Sequence, residues 1–167
     1  MWSQIERYFK ELPAQLKVAK LLFERGFQVT DDGKVVSGRI EIPHTQIAKE
    51  VGAERRAVDN AVRTILSEPE LKRIYTNLRQ VCSLGEVARE FNLGVIVFVP
   101  EDASQKGIIA KVTRKVSEKG LSIRQALAED PSISAQPKLT LVIEGEIPPE
   151  LISEIRKLPG TRSITIY

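Results

Sequence analysis

The chain has 167 residues, of which 42% are hydrophobic and 28% are charged, and its formal net charge is +3. This composition is typical of a globular protein and excludes a disordered chain, and so mild a positive charge does not by itself indicate a nucleic-acid binder. No apolar run approaches the roughly 18 residues that cross a bilayer, so no membrane partner is expected.

The N-terminus mixes acidic and basic residues without an apolar core, so we expect no secretion signal and a cytoplasmic protein. Cys82 is the single cysteine and His44 the single histidine, which excludes an intrachain disulfide and leaves a nucleophile–base pair or a metal cluster without support. No phosphate-binding or dinucleotide-binding glycine motif is present. We therefore expect neither an enzyme nor a cofactor.

The region before Pro43 is predicted to form an N-terminal helix followed by short strands. Apolar side chains recur at three- and four-residue steps in the helix, which Pro13 divides into two and Gly26 ends. The tripeptide Asp31-Asp32-Gly33 is a hairpin signal between the first two strands. The predicted helix spans residues 3–25, and the predicted strands span residues 27–30, 34–36 and 39–42.

The stretch QIAKEVGAERRAVDNAVRTIL, residues 46–66, predicts two helices joined by a tight turn. The helices are expected over residues 44–51 and 55–66. Gly52 permits the turn because glycine adopts positive φ at no steric cost, and the small Ala48 lets the helices approach each other. This spacing favours a helix-turn-helix, whose second helix fits the major groove of DNA, over a plain helical hairpin in a core.

The candidate DNA-binding residues lie on this second helix and shortly after it. Arginine and asparagine read base edges by paired hydrogen bonds, and base contacts usually arise at the N-terminal end of the recognition helix. The candidates for base reading are Arg55, Arg56 and Asn60, and the candidates for phosphate contacts are Arg63, Lys72 and Arg73. Glu54 and Asp59 would oppose phosphate, which leaves open the alternative that this helix contacts a protein.

The stretch between residues 67 and 93 is predicted to contain a strand over residues 71–78 and a helix over residues 84–91. We place the domain boundary near residues 80–93. The expected organisation is an N-terminal domain over residues 1–80, a linker helix over residues 81–93 and a C-terminal domain over residues 94–167.

The C-terminal domain is predicted to have the element order β-α-β-β-α-β. The strands are expected over residues 94–99, 121–128, 138–144 and 161–167, and the helices over residues 104–119 and 148–158. Ser104 is a reasonable N-cap for the first of these helices. The order is that of a ferredoxin-like split βαβ fold. The whole chain is therefore predicted to be α+β, with a winged helix-turn-helix-like domain followed by a ferredoxin-like domain.

The stretch EDASQKGIIAKVTRKVSEKGLSIRQALAED, which follows the predicted strand GVIVFV, resembles the ACT domain. Gly107, Ile108 and Ile109 fit that family's glycine and two apolar residues at the strand-to-helix turn, and Gly120 fits the glycine that ends the helix. Lys106 departs from the pattern, because proline is frequent at that position. The runs VFVPEDASQKGIIAKV and LSIRQALAEDPSISAQPKLTLV make the two parts together similar to an archaeal family of predicted regulators of amino-acid metabolism, with an ACT domain after a winged helix-turn-helix-like part.

The resemblance implies a homodimer or higher homo-oligomer that binds a small effector, commonly an amino acid, at the interface of its C-terminal domains. Free amides at a helix N-terminus attract a carboxylate; Asp102 is suited to an ammonium group, and Ser122 or Arg124 to a carboxylate or polar tail. The implied effector residues are Asp102, Ala103, Ser104, Gln105, Lys106, Gly107, Ile108, Ser122, Ile123 and Arg124. The alternative is that residues 102–107 form only a capped turn and that the domain only dimerises.

Two functional hypotheses follow. In the first, the protein is a transcriptional regulator that binds double-stranded DNA through the helix-turn-helix and an amino-acid effector through the ACT domain. In the second, it senses an effector but acts on a protein, such as a biosynthetic enzyme, without touching DNA.

Overall fold

A computed structural model describes all 167 residues, and the chain forms two compact units, Met1–Cys82 and Ser83–Tyr167. None of its seven helices combines the length and the apolar character that a membrane-spanning segment requires.

The first unit is mainly helical, with one small antiparallel sheet in the order β1-β2-β3. Its elements are α1 (Trp2–Glu6), a 3-10 turn (Arg7–Phe9), α2 (Pro13–Glu24), β1 (Gln28–Val29), β2 (Val35–Ser37), β3 (Ile40–Ile42), α3 (His44–Val51), α4 (Arg55–Ser67) and α5 (Pro69–Tyr75). The helical break at Pro13, the three short strands and both helices of the helix-turn-helix are confirmed. The sheet therefore precedes α3 and α4 in the chain.

The core of the first unit lies between α2 and α4. Each helix has an apolar stripe, and the stripe residues are completely or almost completely buried. These residues are Val18, Ala19 and Leu22 of α2 and Val58, Ala61, Val62 and Ile65 of α4. Their burial leaves the opposite side of α4 for polar residues.

The predicted strand over residues 71–78 is wrong, because this region forms helix α5. Pro69 occupies the start of α5, where its missing N–H removes no helical hydrogen bond. Leu71 and Tyr75 are fully buried and lie four residues apart, so both face the core from one side of a helix. The apolar spacing in this segment is that of a helix and does not alternate as a half-buried strand requires.

The second unit has the predicted order β-α-β-β-α-β. Its elements are β4 (Leu93–Pro100), α6 (Ile108–Glu118), β5 (Ile123–Ala128), β6 (Leu139–Glu144), α7 (Pro149–Arg156) and β7 (Thr161–Ile166). The sheet is antiparallel with strand order β5-β6-β4-β7, which confirms the ferredoxin-like topology. Ile96 and Phe98 of β4 pack with Val112 and Val116 of α6 in a core that covers one face of the sheet.

Helix α6 begins at Ile108, four residues later than predicted, and Ser104 is not its cap. The N–H and the hydroxyl group of Ser104 both donate to Asp102 Oδ1, at 2.8 and 2.6 Å, so Ser104 closes a turn within the loop. Gly107 takes the position before the helix with a left-handed φ of 82°, a conformation that side-chain-bearing residues rarely adopt.

The helix predicted within the linker is present only as a 3-10 turn, Ala88–Phe91. This segment lies on the sheet face opposite α6 and α7, where Ala88 packs with Val95 and Val142. The N–H of Leu84 donates to Gln125 Oε1 of β5 at 2.8 Å. The segment therefore takes its shape from contacts with the sheet, which the local apolar spacing did not reveal.

Candidate functional site

The turn between α3 and α4 depends on the left-handed conformation of Gly52, whose φ is 65°. No atom lies within 4 Å of the place where a Cβ on Gly52 would stand, so glycine is needed there for its conformation and not for space. The N–H of Ala53 donates to the carbonyl oxygen of Ala48 at 2.9 Å, which closes the end of α3. The two helices are thereby joined as the sequence predicts.

The solvent side of α4 brings three of the predicted DNA-binding residues together. Arg56, Asn60 and Arg63 are spaced by four and three residues, so they share one helix face. Arg56 and Arg63 are exposed, and Arg63 Nη1 donates to Asn60 Oδ1 at 3.1 Å. This bond leaves the amide nitrogen of Asn60 available as a donor. The face is therefore a row of hydrogen-bond donors with positive charge.

A surface groove runs beside this row, between the start of α2 and the first turns of α4. It has a volume of about 400 Å³ and is lined by Glu11 and Gln15 on one side and by Arg56 and Asn60 on the other. Residues of both helices thus border the predicted contact surface.

Arg55, the remaining predicted base reader, belongs to a different cluster. Arg55 Nε lies 3.7 Å from Asp59 Oδ2, and the other oxygen of the same carboxylate, Oδ1, lies 2.6 Å from His44 Nδ1. His44 is the first residue of α3, so this contact ties the start of α3 to the second turn of α4. The sequence prediction did not include the His44–Asp59 pair. The signal available was the helix-turn-helix itself, which brings these positions together.

Lys72 and Arg73 lie on α5, outside the row on α4. Lys72 Nζ is 2.8 Å from Asp31 Oδ1, in the turn between β1 and β2, which partly offsets its charge. Arg73 is exposed. Two of the three predicted phosphate contacts are therefore on a helix where a strand was expected.

In the predicted effector loop, residues 102–107, polar groups form hydrogen bonds with one another and are less available to a ligand. The hydroxyl and the N–H of Ser104 hold the pKa of Asp102 below its ordinary value by bonding its carboxylate. Gln105 packs closely on Gly160, because a Cβ on Gly160 would lie 2.6 Å from Gln105 Oε1. Ile108 is buried in the core and can offer a ligand little beyond its backbone.

The strand register places the two halves of the predicted effector site at opposite ends of the sheet. Ile123 pairs with Ile143, which pairs in turn with Gly94 near the start of β4, whereas the loop follows Pro100 at the end of β4. Six residues of strand separate these ends, a distance of roughly 20 Å. Arg124 Nη2 is also paired with Glu144 Oε1 at 2.9 Å. Within one chain, Ser122, Ile123 and Arg124 do not meet the loop.

A further cavity lies on the sheet face that the segment from Ser83 onward partly covers. Its volume is about 630 Å³, its floor includes Val97 and Leu127, and its rim includes Glu86 and Arg89. The sequence prediction did not include any of these residues.

No protein-family profile and no curated protein match the chain. Among solved structures, it is similar to an AsnC family transcriptional regulator from Agrobacterium tumefaciens, with 14% identity, 92% of this chain and 86% of that chain covered, and a TM-score of 0.30. It is also similar to an AsnC family transcriptional regulatory protein from Pyrococcus furiosus, with 13% identity, coverage of 75% and 77%, and a TM-score of 0.26. These scores are too low for either structure to support an inference about the fold or the function of this chain.

Proposed function

We propose that the protein is a transcriptional regulator that binds double-stranded DNA through α4. The observation that carries this proposal is the row of Arg56, Asn60 and Arg63 on the exposed face of the second helix of a helix-turn-helix. Arginine and asparagine can each make paired hydrogen bonds to base edges in the major groove, and arginine also neutralises phosphate. A link to amino-acid metabolism rests on the resemblance to the archaeal regulator family.

The test is fluorescence anisotropy on a library of promoter-length duplexes at several salt concentrations. We expect the affinity to fall as salt rises, because each phosphate contact releases counterions. Arg63→Ala should reduce the slope of log K against log salt by about one, because it removes a single phosphate-binding group. Arg114→Ala is the matched control, because Arg114 is an exposed arginine on α6 in the second unit. Binding without salt dependence, or an equal effect of both variants, contradicts the proposal.

We also propose that second units pair and bind an amino-acid effector between copies. Residues 102–107 and 122–124 lie at opposite ends of one sheet, so a site that used both would take one group from each copy. A ligand that binds only the folded protein raises its melting temperature, so a thermal-shift screen of the twenty amino acids tests this proposal. An effector that differs in affinity between two states by about 1–3 kcal/mol would change DNA affinity about 5- to 150-fold.

The second candidate function is regulation of a partner enzyme without DNA. The acidic residues Glu54 and Asp59 on or beside the exposed part of α4 favour it, since they repel phosphate. Chromatography on heparin distinguishes the candidates. Retention that Arg56→Ala and Arg63→Ala abolish supports the DNA interface, whereas unretained protein supports the partner enzyme.

A further inference from the structure

His44, Asp59 and Arg55 form a cluster that joins the start of α3 to the first turns of α4. One carboxylate, that of Asp59, faces a ring nitrogen with one oxygen and a guanidinium group with the other, at 2.6 and 3.7 Å. An ionised carboxylate can only accept hydrogen bonds, so His44 Nδ1–H donates to Asp59 Oδ1. The side chain of His44 is only 18% exposed, whereas that of Arg55 is 67% exposed. The cluster therefore extends from the partly buried imidazole ring of His44 to the solvent-exposed guanidinium group of Arg55.

Arg55 Nε forms an ion pair with Asp59 Oδ2 at 3.7 Å, which is too long for a hydrogen bond and does not occupy the two terminal nitrogens. Those two nitrogens form the fork that can bond the O6 and N7 atoms of guanine. Arg55 is the first residue of α4, and the N-terminal end of a recognition helix is where base contacts arise. An exposed (i, i+4) ion pair is weak, so it biases the rotamers of Arg55 towards this orientation without fixing them, and a biased side chain loses less entropy on binding.

The same pairing also removes an obstacle to DNA binding. Asp59 lies on the side of α4 that adjoins the outward row, and an unpaired carboxylate there would repel phosphate. The positive charge of Arg55 partly offsets that of this carboxylate, and His44 donates a hydrogen bond to it. These contacts reduce the repulsion between Asp59 and DNA phosphate and give Asp59 a role in positioning Arg55.

We propose that His44 and Asp59 are positioning residues that hold Arg55 for recognition of one guanine in each half-site. This inference rests on the proposed DNA-binding function. The positioning depends on two contacts that can be tested separately. One contact, from His44 to Asp59, fixes the carboxylate between α3 and α4. The other, the ion pair between Asp59 and Arg55, biases the guanidinium group towards one orientation.

The experiment selects bound duplexes from a random-sequence library with the wild-type chain and with single variants, and compares base preference at each position. Arg55→Ala should lower the preference for guanine at one position per half-site by about five- to 150-fold, the worth of a bidentate contact. Asp59→Asn keeps an acceptor for His44 but turns its amide donors towards Arg55, so it should lower preference at the same position by about two- to tenfold. The effects of Arg55→Ala and Asp59→Asn should not add.

The matched pair His44→Ala and His44→Asn tests the first contact. Asparagine places an N–H donor near the position of Nδ1, so His44→Asn should retain the guanine preference that His44→Ala reduces. A merely structural role would instead lower melting temperature and weaken binding to all sequences alike. Circular dichroism of each variant identifies those that remain folded, and Arg63→Ala, which should weaken all sequences evenly, is the control for a general loss of affinity.

The outcomes separate this inference from the function on which it rests. If the wild-type chain enriches no duplex, DNA binding fails and the inference fails with it. If it enriches a site, but folded Asp59→Asn and His44→Ala leave the position affected by Arg55→Ala unchanged, only the positioning role is overturned. A common position that responds to all three variants supports it.

Discussion

Tyr75 makes a buried hydrogen bond whose loss should be measurable as a change in stability. Its hydroxyl donates to the carbonyl oxygen of Ala19 at 2.9 Å, and desolvation by burial raises the pKa of Tyr75 far above its ordinary value. We expect Tyr75→Phe to lower the free energy of unfolding at pH 7 by about 1 kcal/mol, the net worth of such a bond. Urea denaturation measures it, and Tyr167→Phe is the control, because Tyr167 is 55% exposed.

The raised pKa of Tyr75 should make the free energy of unfolding depend on pH in the alkaline range. Because the folded-state pKa of Tyr75 lies above the unfolded value of about 10, the unfolded chain loses this proton first as pH rises. The contribution to stability is therefore complete below about pH 10 and declines above it. The stability gap between wild type and Tyr75→Phe should narrow between pH 9 and pH 11, roughly, in urea titrations. A gap that stays constant across that range would show that Tyr75 ionises equally in both states.

At the scale of elements, two glycines that end helices differ in why glycine is required. Backbone conformation alone requires it at one position, and both conformation and packing require it at the other. Gly26 and Gly52 both follow a helix with left-handed φ, at 62° and 65°. A Cβ on Gly26 would lie 2.7 Å from the backbone of Arg79, whereas a Cβ on Gly52 would meet nothing within 4 Å. We expect Gly52→Ala to cost about 1–2 kcal/mol from backbone strain alone. Gly26→Ala should cost about 1–3 kcal/mol more, because the chain at Arg79 must move.

Thermal and urea denaturation of the two variants tests this difference. Equal losses of stability would mean that the chain near Arg79 yields easily and that only the backbone conformation matters. Gly52→Asn is a useful third variant, because asparagine tolerates the left-handed conformation better than alanine and should recover part of the loss.

The elements that could be predicted from sequence are those whose signal is local. Pro13 divides the N-terminal helix as predicted, Gly52 ends α3, and the alternating apolar residues of β6 identify a strand. The errors arise where a distant contact decides. The wrongly predicted strand over residues 71–78 is an exception, because both signals for helix α5 are local: Pro69 at its start and the four-residue spacing of the buried Leu71 and Tyr75.

The candidate site also contains some features that follow from local spacing and others that depend on tertiary contacts. Helical spacing places Arg56, Asn60 and Arg63 on one face of α4, although the sequence predicts a phosphate contact for Arg63 and base contacts for the other two. The His44–Asp59 pair joins residues 15 positions apart and depends on how α3 crosses α4, so single-helix patterns cannot predict it. The separation of Ser122 and Arg124 from the loop at Asp102 depends on strand register, which element order does not specify.

For the whole molecule, the division at Cys82 and Ser83 predicts two units that unfold separately. Trp2, the only tryptophan, is buried in the first unit and packs near Phe23, so its fluorescence reports that unit alone. Ala88 is fully buried against the sheet of the second unit. We expect Ala88→Asp to destabilise the second unit by about 3 kcal/mol or more, because it buries an unpaired charge.

The readout is denaturation of the full chain followed by tryptophan fluorescence and by far-ultraviolet circular dichroism. Circular dichroism should show an earlier transition in Ala88→Asp, whereas the fluorescence midpoint should stay at the wild-type value. Val87→Asp is the matched control, because Val87 is the neighbouring residue and is 43% exposed, so its charge remains in water. A fluorescence midpoint that moves together with the dichroism signal would show that the units unfold as one, since a charge in the second unit would then destabilise the first.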